Sequence, residues 1–253
     1  MSYFNYDDLS FKYDPFPIGL AKPLMDDATY RRLVENYPPI ERFQFMPKLG
    51  NKYALSERFN PKVYHDVIRN EPVWKDFHGW LNSTDFLNSI LAALKQHNID
   101  LGYDTSRGAY KRLRSLMKDI KQGEIGPKAV RLKTRFEFSM LPADGGHIKP
   151  HTDSRSKVIT LVVSMLDDDG EWDPAWGGGT DVNVPKDMTR VFNDLNEQGE
   201  FADMDVLDSF DFTPNQGVIF VRTFNSWHSV RPMKGFGSTA MRKTLTINVE
   251  RRL

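Results

Sequence analysis

The chain contains no cysteine among its 253 residues. Disulfides, thiolate metal sites, iron–sulfur clusters and a cysteine nucleophile are therefore excluded, and a metal must bind His, Asp, Glu or carbonyl oxygen. Long apolar runs are also missing: the longest, residues 158–166, is interrupted by Thr160 and Ser164 and is far shorter than the ~20 residues of a membrane-spanning helix. The first residues lack the basic and then apolar pattern of a secretory signal, so we expect a cytoplasmic protein with no membrane partner.

The chain has no net charge, since 34 Lys and Arg residues balance 34 Asp and Glu residues. Their distribution is uneven, because residues 107–135 carry ten basic and two acidic side chains, whereas residues 167–211 carry fourteen acidic and two basic ones. Two oppositely charged surfaces of one domain explain this pattern. The basic segment lacks the interleaved aromatic residues of a single-strand-binding surface, so we expect no nucleic-acid partner.

Apolar spacing over residues 1–125 predicts a mainly helical N-terminal region. Asp26 or Asp27 is expected to cap the first helix, and Ser83 or Thr84 is expected to cap a later and more regular one. The predicted helices cover residues 27–37, 61–70, 73–82, 84–94 and 107–121. Their apolar faces are short, so we expect them to pack on one outer face of the remaining structure rather than to form a separate core.

The Gly- and Pro-containing stretch 122–128 is the predicted boundary, and beyond it the apolar period changes from ~3.6 to 2. Residues 126–253 therefore predict a β-rich core, with strands at 130–141, 158–166, 217–224 and 242–249. Strands separated by turns rich in Gly and Pro indicate a sandwich or barrel. The acidic stretch 187–211 is expected to be a long surface insertion.

The segment that carries chemistry is His-Thr-Asp at residues 151–153. In an extended chain, residues two apart project to the same side, so His151 and Asp153 can bind one metal ion. Two His and one carboxylate form the facial triad of non-haem iron(II) oxygenases. A single His-x-Asp is weak evidence, however, because short motifs of this kind also occur by chance.

A distant His strengthens the assignment. His228 lies 75 residues after Asp153, in the sequence His-Ser-Val-Arg-Pro, and Arg242 begins the last predicted strand fourteen residues later. In these pieces the chain resembles the iron(II)- and 2-oxoglutarate-dependent dioxygenases, in particular the branch similar to prolyl 4-hydroxylases. The branch has His-x-Asp, a distal His-x-Val-x-Pro, and an Arg that precedes a strand with Thr, and all three occur here in order over residues 130–253.

The resemblance implies a double-stranded β-helix (jelly-roll) core with the helical N-terminal extension packed on it. It further implies that His151, Asp153 and His228 bind iron(II), and that Arg242 binds the far carboxylate of 2-oxoglutarate, with Thr246 on the same strand face. Dioxygen is the expected oxidant and ascorbate a further candidate reductant. The implied activity is hydroxylation of an unactivated C–H bond, with succinate and CO2 as co-products.

The sequence departs from the prolyl-hydroxylase pattern at two positions. Leu141 stands where a tyrosine usually precedes the His-x-Asp loop, and Ser164 is the nearest polar candidate for a second tyrosine in the following strand. The 2-oxoglutarate pocket is therefore expected to have a different lining, which leaves the 2-oxo acid preference open.

Several nearby residues have structural alternatives to a functional role. His147 is expected at a loop or pocket rim, Arg231 competes with Arg242 as a co-substrate anchor but fits a loop position better, and Trp176 is expected to be mainly structural. Arg155 and Lys157 are surface charges or, because they lie close to the predicted mouth, contacts for an anionic substrate.

Two other functions remain open from the sequence. A non-catalytic jelly-roll binding module would retain a relict metal site, and a zinc hydrolase would use two His and one carboxylate in the same way. Neither explains why the three ligands and Arg242 occur together. The substrate, a small molecule or a peptidyl residue, cannot be derived from the fold class, and a homodimer is a further possibility for the helical surface.

Overall fold

A computed structural model describes residues 2–103, 132–167 and 170–251. In these ranges the chain forms four α-helices, α1 Asp27–Glu35, α2 Pro61–Asn70, α3 Pro72–Leu81 and α4 Thr84–Gln96. Twelve strands are described in the same ranges: β1 Ser10–Lys12, β2 Ile18–Ala21, β3 Gln44–Met46, β4 Lys52–Leu55, β5 Leu132–Pro142, β6 Ile148–His151, β7 Lys157–Ser164, β8 Thr180–Pro185, β9 Met204–Phe210, β10 Gly217–Val221, β11 His228–Val230 and β12 Met241–Arg251.

The strands form two antiparallel sheets. The larger has the order β1-β2-β10-β7-β12-β5-β4-β3, and the smaller has the order β6-β11-β8-β9. Strands β5–β12 are divided equally between the two sheets, with β5, β7, β10 and β12 in the larger sheet and β6, β8, β9 and β11 in the smaller. This is the arrangement of a double-stranded β-helix. The mainly β fold with a jelly-roll core and helices, predicted from the sequence, is confirmed.

Helices contain more residues than strands in the described range 2–103, but the four short strands β1–β4 were not predicted. Strands β1 and β2 extend the larger sheet beyond β10, and β3 and β4 extend it beyond β5. Each has only three or four residues, too few for a period of two to be recognised. Their conformation is determined by pairing with strands far away in the sequence.

Local sequence signals explain where the helices begin. Asp26 caps α1, where its carboxylate accepts a hydrogen bond from the Thr29 N–H at 3.0 Å. Ser83 caps α4 by accepting from the Phe86 N–H at 3.4 Å. Helices α2 and α3 begin with proline, whose missing N–H would have no helical partner there. None of the four described helices has the length and apolar character required to cross a lipid bilayer.

The helices cover the outer face of the larger sheet. Buried side chains of α3 and α4 share one hydrophobic core with β5 and β12. The ring of Trp74 contacts that of Phe138 edge-on at 4.6 Å between centroids, and its Nε1–H donates to the Asn36 carbonyl oxygen at 2.6 Å. Leu245 and Ile247 of β12 point into the same core. This face of β12 is therefore unavailable to a ligand, and the opposite face lines the interior.

The predicted surface insertion 187–211 is only partly correct. Its last part forms β9, an edge strand of the smaller sheet that pairs with β8. The acidic residues Asp205 and Asp208 of β9 are exposed or partly exposed on an edge strand, where charged side chains discourage pairing with other chains. The predicted helix 107–121, the boundary 122–128 and hence the division at residue 125 lie outside the described residues.

Candidate metal centre

The two candidate imidazole ligands lie on adjacent strands of the smaller sheet. His151 ends β6 and His228 begins β11, and the two are direct partners in the antiparallel register. Directly opposite residues have their side chains on the same face, so the two rings come together with centroids 4.4 Å apart. Asp153 follows His151 by two residues, and one potential ligand atom from each of the three side chains lies within 4.8 Å of the others.

Both imidazoles are held in the same orientation. Nδ1–H of His151 donates to the Lys149 carbonyl oxygen at 2.9 Å, and Nδ1–H of His228 donates to the Ser226 carbonyl oxygen at 2.9 Å. A carbonyl can only accept, so these bonds place the proton on Nδ1 and leave the Nε2 lone pair free. Such backbone contacts are the common way to orient a metal-binding His.

The electrostatics keep both rings neutral. Burial lowers the pKa of His151 to about 3, and the neighbouring His228 ring contributes in the same direction. Burial likewise lowers the pKa of His228. At neutral pH both side chains are therefore unprotonated at Nε2, as a metal ligand must be.

The third candidate ligand is a buried carboxylate, since Asp153 is only 3% exposed. Its Oδ1 accepts a hydrogen bond from the Lys157 ammonium at 2.6 Å, and its Oδ2 accepts from the Thr160 hydroxyl at 2.5 Å. Burial alone would raise its pKa, but the Lys157 charge and the two imidazoles hold the pKa of Asp153 below its usual range. The carboxylate is thus ionised and fixed in place.

The triad opens into one large cavity between the two sheets. Its volume is about 400 Å³, and its lining includes the three triad residues together with Arg242. The inward face of β12 supplies further polar side chains to the wall, namely Thr244, Thr246 and Asn248. The predicted alternation of this strand, with Arg242 and Thr246 on the interior side, is therefore found in the structure.

Arg242 is buried at the side of this cavity with no carboxylate partner among the described residues. It is 5% exposed, its Nε–H donates to the Gly178 carbonyl oxygen at 2.5 Å, and its guanidinium carbon lies 4.6 Å from the centre of the Phe212 ring. Burial lowers its pKa to about 10, so the group is still charged at neutral pH. A buried and unpaired guanidinium is costly, which makes it a strong candidate for binding an anion.

Gly178 is required for this arrangement. Its φ of +88° belongs to a region that favours glycine, and an added Cβ would lie 3.3 Å from Cδ of Arg242 and 3.0 Å from the ring of Trp172. Residues 177–179 form one of the Gly-rich segments that the sequence predicts as turns between strands. Their role in supporting Arg242 depends on a contact between positions 64 residues apart, which no local pattern can indicate.

Not every residue predicted for the site lies in the cavity. Ser164 is at the far end of β7 and is absent from the cavity lining; its backbone carbonyl accepts from the Tyr30 hydroxyl at 3.1 Å. Thr160 and Val162 of the same strand line the cavity instead. Ser164 shares the strand face of Thr160 and Val162, but the cavity ends before it reaches this position.

The other residues that the sequence offered for the site make contacts outside the cavity. Arg231 forms a bidentate ion pair with Asp181, with distances of 2.8 and 3.0 Å, and its side chain is 57% exposed. It therefore does not compete with Arg242 for a ligand in the cavity. His147 is not part of the metal-binding group and its Nδ1–H donates to the Gly145 carbonyl oxygen. Trp176 packs edge-on against Trp172, in agreement with a structural role.

Comparisons with known proteins give structural similarity only. No family model and no curated protein matches the sequence. A Pseudomonas putida prolyl-4-hydroxylase structure aligns over 95% of both chains with 12% identity and a TM-score of 0.48. A Trichoplax adhaerens prolyl hydroxylase, solved with a peptide fragment of a hypoxia inducible factor, aligns over 94% of this chain and 85% of that one with 11% identity and a TM-score of 0.47.

A Burkholderia pseudomallei oxidoreductase of the 2OG-Fe(II) oxygenase family aligns over 93% of this chain and 86% of that one, with 9% identity and a TM-score of 0.42. The structures found thus include the family that the sequence motifs resemble. By its own topology and side chains, the chain is a double-stranded β-helix protein with a two-His, one-carboxylate group able to bind a metal ion.

Proposed function

We propose that the protein is an iron(II)- and 2-oxoglutarate-dependent dioxygenase that hydroxylates an unactivated C–H bond. The observation that carries this proposal is the presence of the His151–Asp153–His228 group and the unpaired Arg242 in one cavity. A metal site alone fits many activities. A metal site that shares its cavity with a buried cation fits a reaction in which a dianionic co-substrate spans the two.

The donor set fits iron(II). Two neutral imidazoles and one ionised carboxylate would hold the ion and leave it open to further ligands, and this combination is typical of non-haem iron(II) oxygenases. Iron(II) bound there together with 2-oxoglutarate and dioxygen would supply the oxidative chemistry, releasing succinate and CO2 as the substrate is hydroxylated. The carbonyls of Lys149 and Ser226 would keep both Nε2 lone pairs available to the ion.

The protein would bind the co-substrate through Arg242 and its neighbours. A guanidinium pairs with a carboxylate by two parallel, charge-assisted hydrogen bonds. Among the described residues no acid forms an ion pair with Arg242, whose Nε–H donates to the Gly178 carbonyl oxygen. Thr246, four residues after Arg242 on the same face of β12, would donate its hydroxyl to the same ligand. Ser164, outside the cavity, has no part in the proposal.

Apolar side chains close the cavity around the metal group. Phe220 lies against the ring of His228 with centroids 4.4 Å apart, and Val162, Ile148 and Val230 add to the lining. This lining would exclude bulk water, which strengthens the electrostatic contacts of the triad and of Arg242 and protects reactive species from side reactions.

The test is direct. The protein, loaded with iron(II) without oxygen, is mixed with oxygen, ascorbate and [1-¹⁴C]2-oxoglutarate, and release of labelled CO2 and of succinate is measured with and without panels of prolyl peptides and small molecules. We expect slow release without substrate and stimulation by the correct one. Arg231→Met serves as the matched control for Arg242→Met. Binding of metal and 2-oxoglutarate without any turnover would instead identify a non-catalytic binding module.

A further inference from the structure

The charges of the cavity divide into matched and unmatched groups. Lys52 pairs with Glu137 at 2.5 Å, and Arg135 pairs with Glu250 at 2.6 Å. Glu250 is also shared with Lys133 at 3.3 Å, so this carboxylate already faces two cations. The cavity lining also includes Glu57 and Arg58, but both are exposed at its rim. Among the described lining residues that are not exposed, two further cations remain, Arg242 and Lys157.

Asp153 is the ion-pair partner of Lys157, and a metal ion bound to the triad would share this carboxylate. The Lys157 ammonium lies 2.6 Å from Oδ1 of Asp153, and the lysine side chain is 19% exposed. A divalent ion bound to the triad would bind the same carboxylate, through either of its oxygens, because Asp153 is the only acid in the metal-binding group. The single negative charge of Asp153 would then face three positive charges, two from the metal and one from Lys157.

The charge of Lys157 would not be neutralised by 2-oxoglutarate. One carboxylate of 2-oxoglutarate would neutralise Arg242, and the other would bind at the metal and complete its neutralisation together with Asp153. Lys157 is opposite Glu250 in the β7–β12 pairing, whereas Arg242 lies eight residues earlier on β12, beyond the Thr244–Ser164 pair. The two cations thus lie at opposite ends of this strand pair, with Asp153 of the triad against Lys157, and a ligand that extends from Arg242 to the metal would approach the triad from the Arg242 end.

A partly buried and uncompensated ammonium is unfavourable, and an incoming anion would remove the cost. We propose that the substrate carries an anionic group, a carboxylate or a phosphate, that binds against Lys157 on the side of the triad away from Arg242. This inference rests on the oxygenase function proposed above. Lysine recognises an anion as a point charge, so its geometry does not choose between the two groups.

The experiment uses the full chain with Mn(II) as a redox-silent, paramagnetic substitute for iron, saturated with 2-oxoglutarate. Three fluorinated probes are titrated separately: trifluoroacetate as the carboxylate, monofluorophosphate as the phosphate and trifluoroethanol as the neutral probe. The quantity measured is the paramagnetic broadening of the ¹⁹F signal of each probe. We expect saturable broadening by at least one anion, and a dissociation constant weakened about tenfold in Lys157→Met, as for loss of one charge-assisted hydrogen bond. The probe that responds identifies the anion class.

Two variants make the result specific. Lys157→Arg keeps the charge and should retain anion binding, which separates a charge effect from a folding defect. Lys95→Met removes an exposed lysine that pairs with Asp100 and does not line the cavity, so it should behave as wild type. The broadening of the trifluoroethanol signal should be equal in all variants.

Anion broadening that is unchanged in Lys157→Met would overturn the inference. So would a loss of Mn(II) affinity in this variant with unaltered anion binding, since Lys157 would then only position Asp153. These outcomes are separate from failure of the oxygenase proposal, which would appear earlier as wild-type protein that does not bind Mn(II) or does not bind 2-oxoglutarate in an Arg242-dependent way.

Discussion

His151 and His228 are direct partners across two antiparallel strands, although 77 positions separate them in the sequence, and their rings lie 4.4 Å apart. The pairing of β6 with β11 is therefore what creates the metal site, because each strand alone supplies only part of the ligand set. The backbone carbonyls that orient the two rings belong to the residues two positions before each His. Sheet register thus determines both ligand distance and ligand orientation.

Replacing His228 with Ala should reduce metal affinity at least ~100-fold, because even changes to residues that only support ligands cost 10–100-fold. The measurement is anaerobic calorimetry with iron(II), or titration with cobalt(II) followed by its absorption. His147→Ala is the matched control, since His147 is close in sequence but outside the metal-binding group. Equal metal affinities in the two variants would contradict the assignment.

Metal binding should raise thermal stability. An ion that binds only the folded state contributes RT ln(1 + [L]/Kd), or about 2.7 kcal/mol at a hundredfold excess over Kd. We expect the Tm to rise on addition of Mn(II) and to return after EDTA treatment. In Asp153→Asn the Mn(II)-dependent shift should be lost, and a shift of unchanged size in this variant would mean that the ion binds elsewhere.

Arg242→Met should leave metal binding intact and raise the KM for 2-oxoglutarate by ~10–100-fold, the effect expected for losing charge-assisted hydrogen bonds. The reason is that Arg242 is buried in the cavity without an ion pair, whereas Arg231 is already neutralised by Asp181. Arg231→Met should therefore have a much smaller effect. The reverse result would identify Arg231 as the co-substrate anchor.

Two adjacent glycines allow the effect of backbone strain on stability to be distinguished from the effect of crowding against Arg242. Gly177 and Gly178 have φ values of +83° and +88°, but an added Cβ meets neighbouring atoms only at Gly178, among them Cδ of Arg242. Both Ala variants should lose stability, by ~1–3 kcal/mol from the backbone conformation. Only Gly178→Ala should also weaken 2-oxoglutarate binding, as measured by calorimetry on the Mn(II) form. Equal affinities would show that Arg242 tolerates displacement.

We propose that residues 1–125 and 126–253 fold as one compact unit, because the helices cover Phe136 and Phe138 of the larger sheet. Trp74→Ala should cost ~3–5 kcal/mol in the free energy of unfolding, as for other large-to-small changes of a buried aromatic. It should also preserve a single transition in urea. A chain beginning at Lys128 should not fold cooperatively, and a soluble, cooperatively folding fragment would contradict the proposal.

The sequence alone determined the residues with metal-binding chemistry and the strand faces on which they lie. The His-x-Asp pair, the distant His228 and the alternation of β12 all depend on residue type and on a period of two, both of which can be read locally. The starts of α1 and α4 were predictable for the same reason, since a cap is a contact within three residues.

Only the tertiary structure decided which of these residues meet. The short strands β1–β4 and β9, the exclusion of Ser164 from the cavity, the support of Arg242 by Gly178 and the pairing of Arg231 with Asp181 all depend on contacts between distant segments. Such contacts form because burial and sheet pairing bring together residues that are remote in the sequence. Their contribution to stability depends on both partners, so it cannot be read from either segment alone. Residue type therefore sets the available chemistry, and packing selects the partners that each group receives.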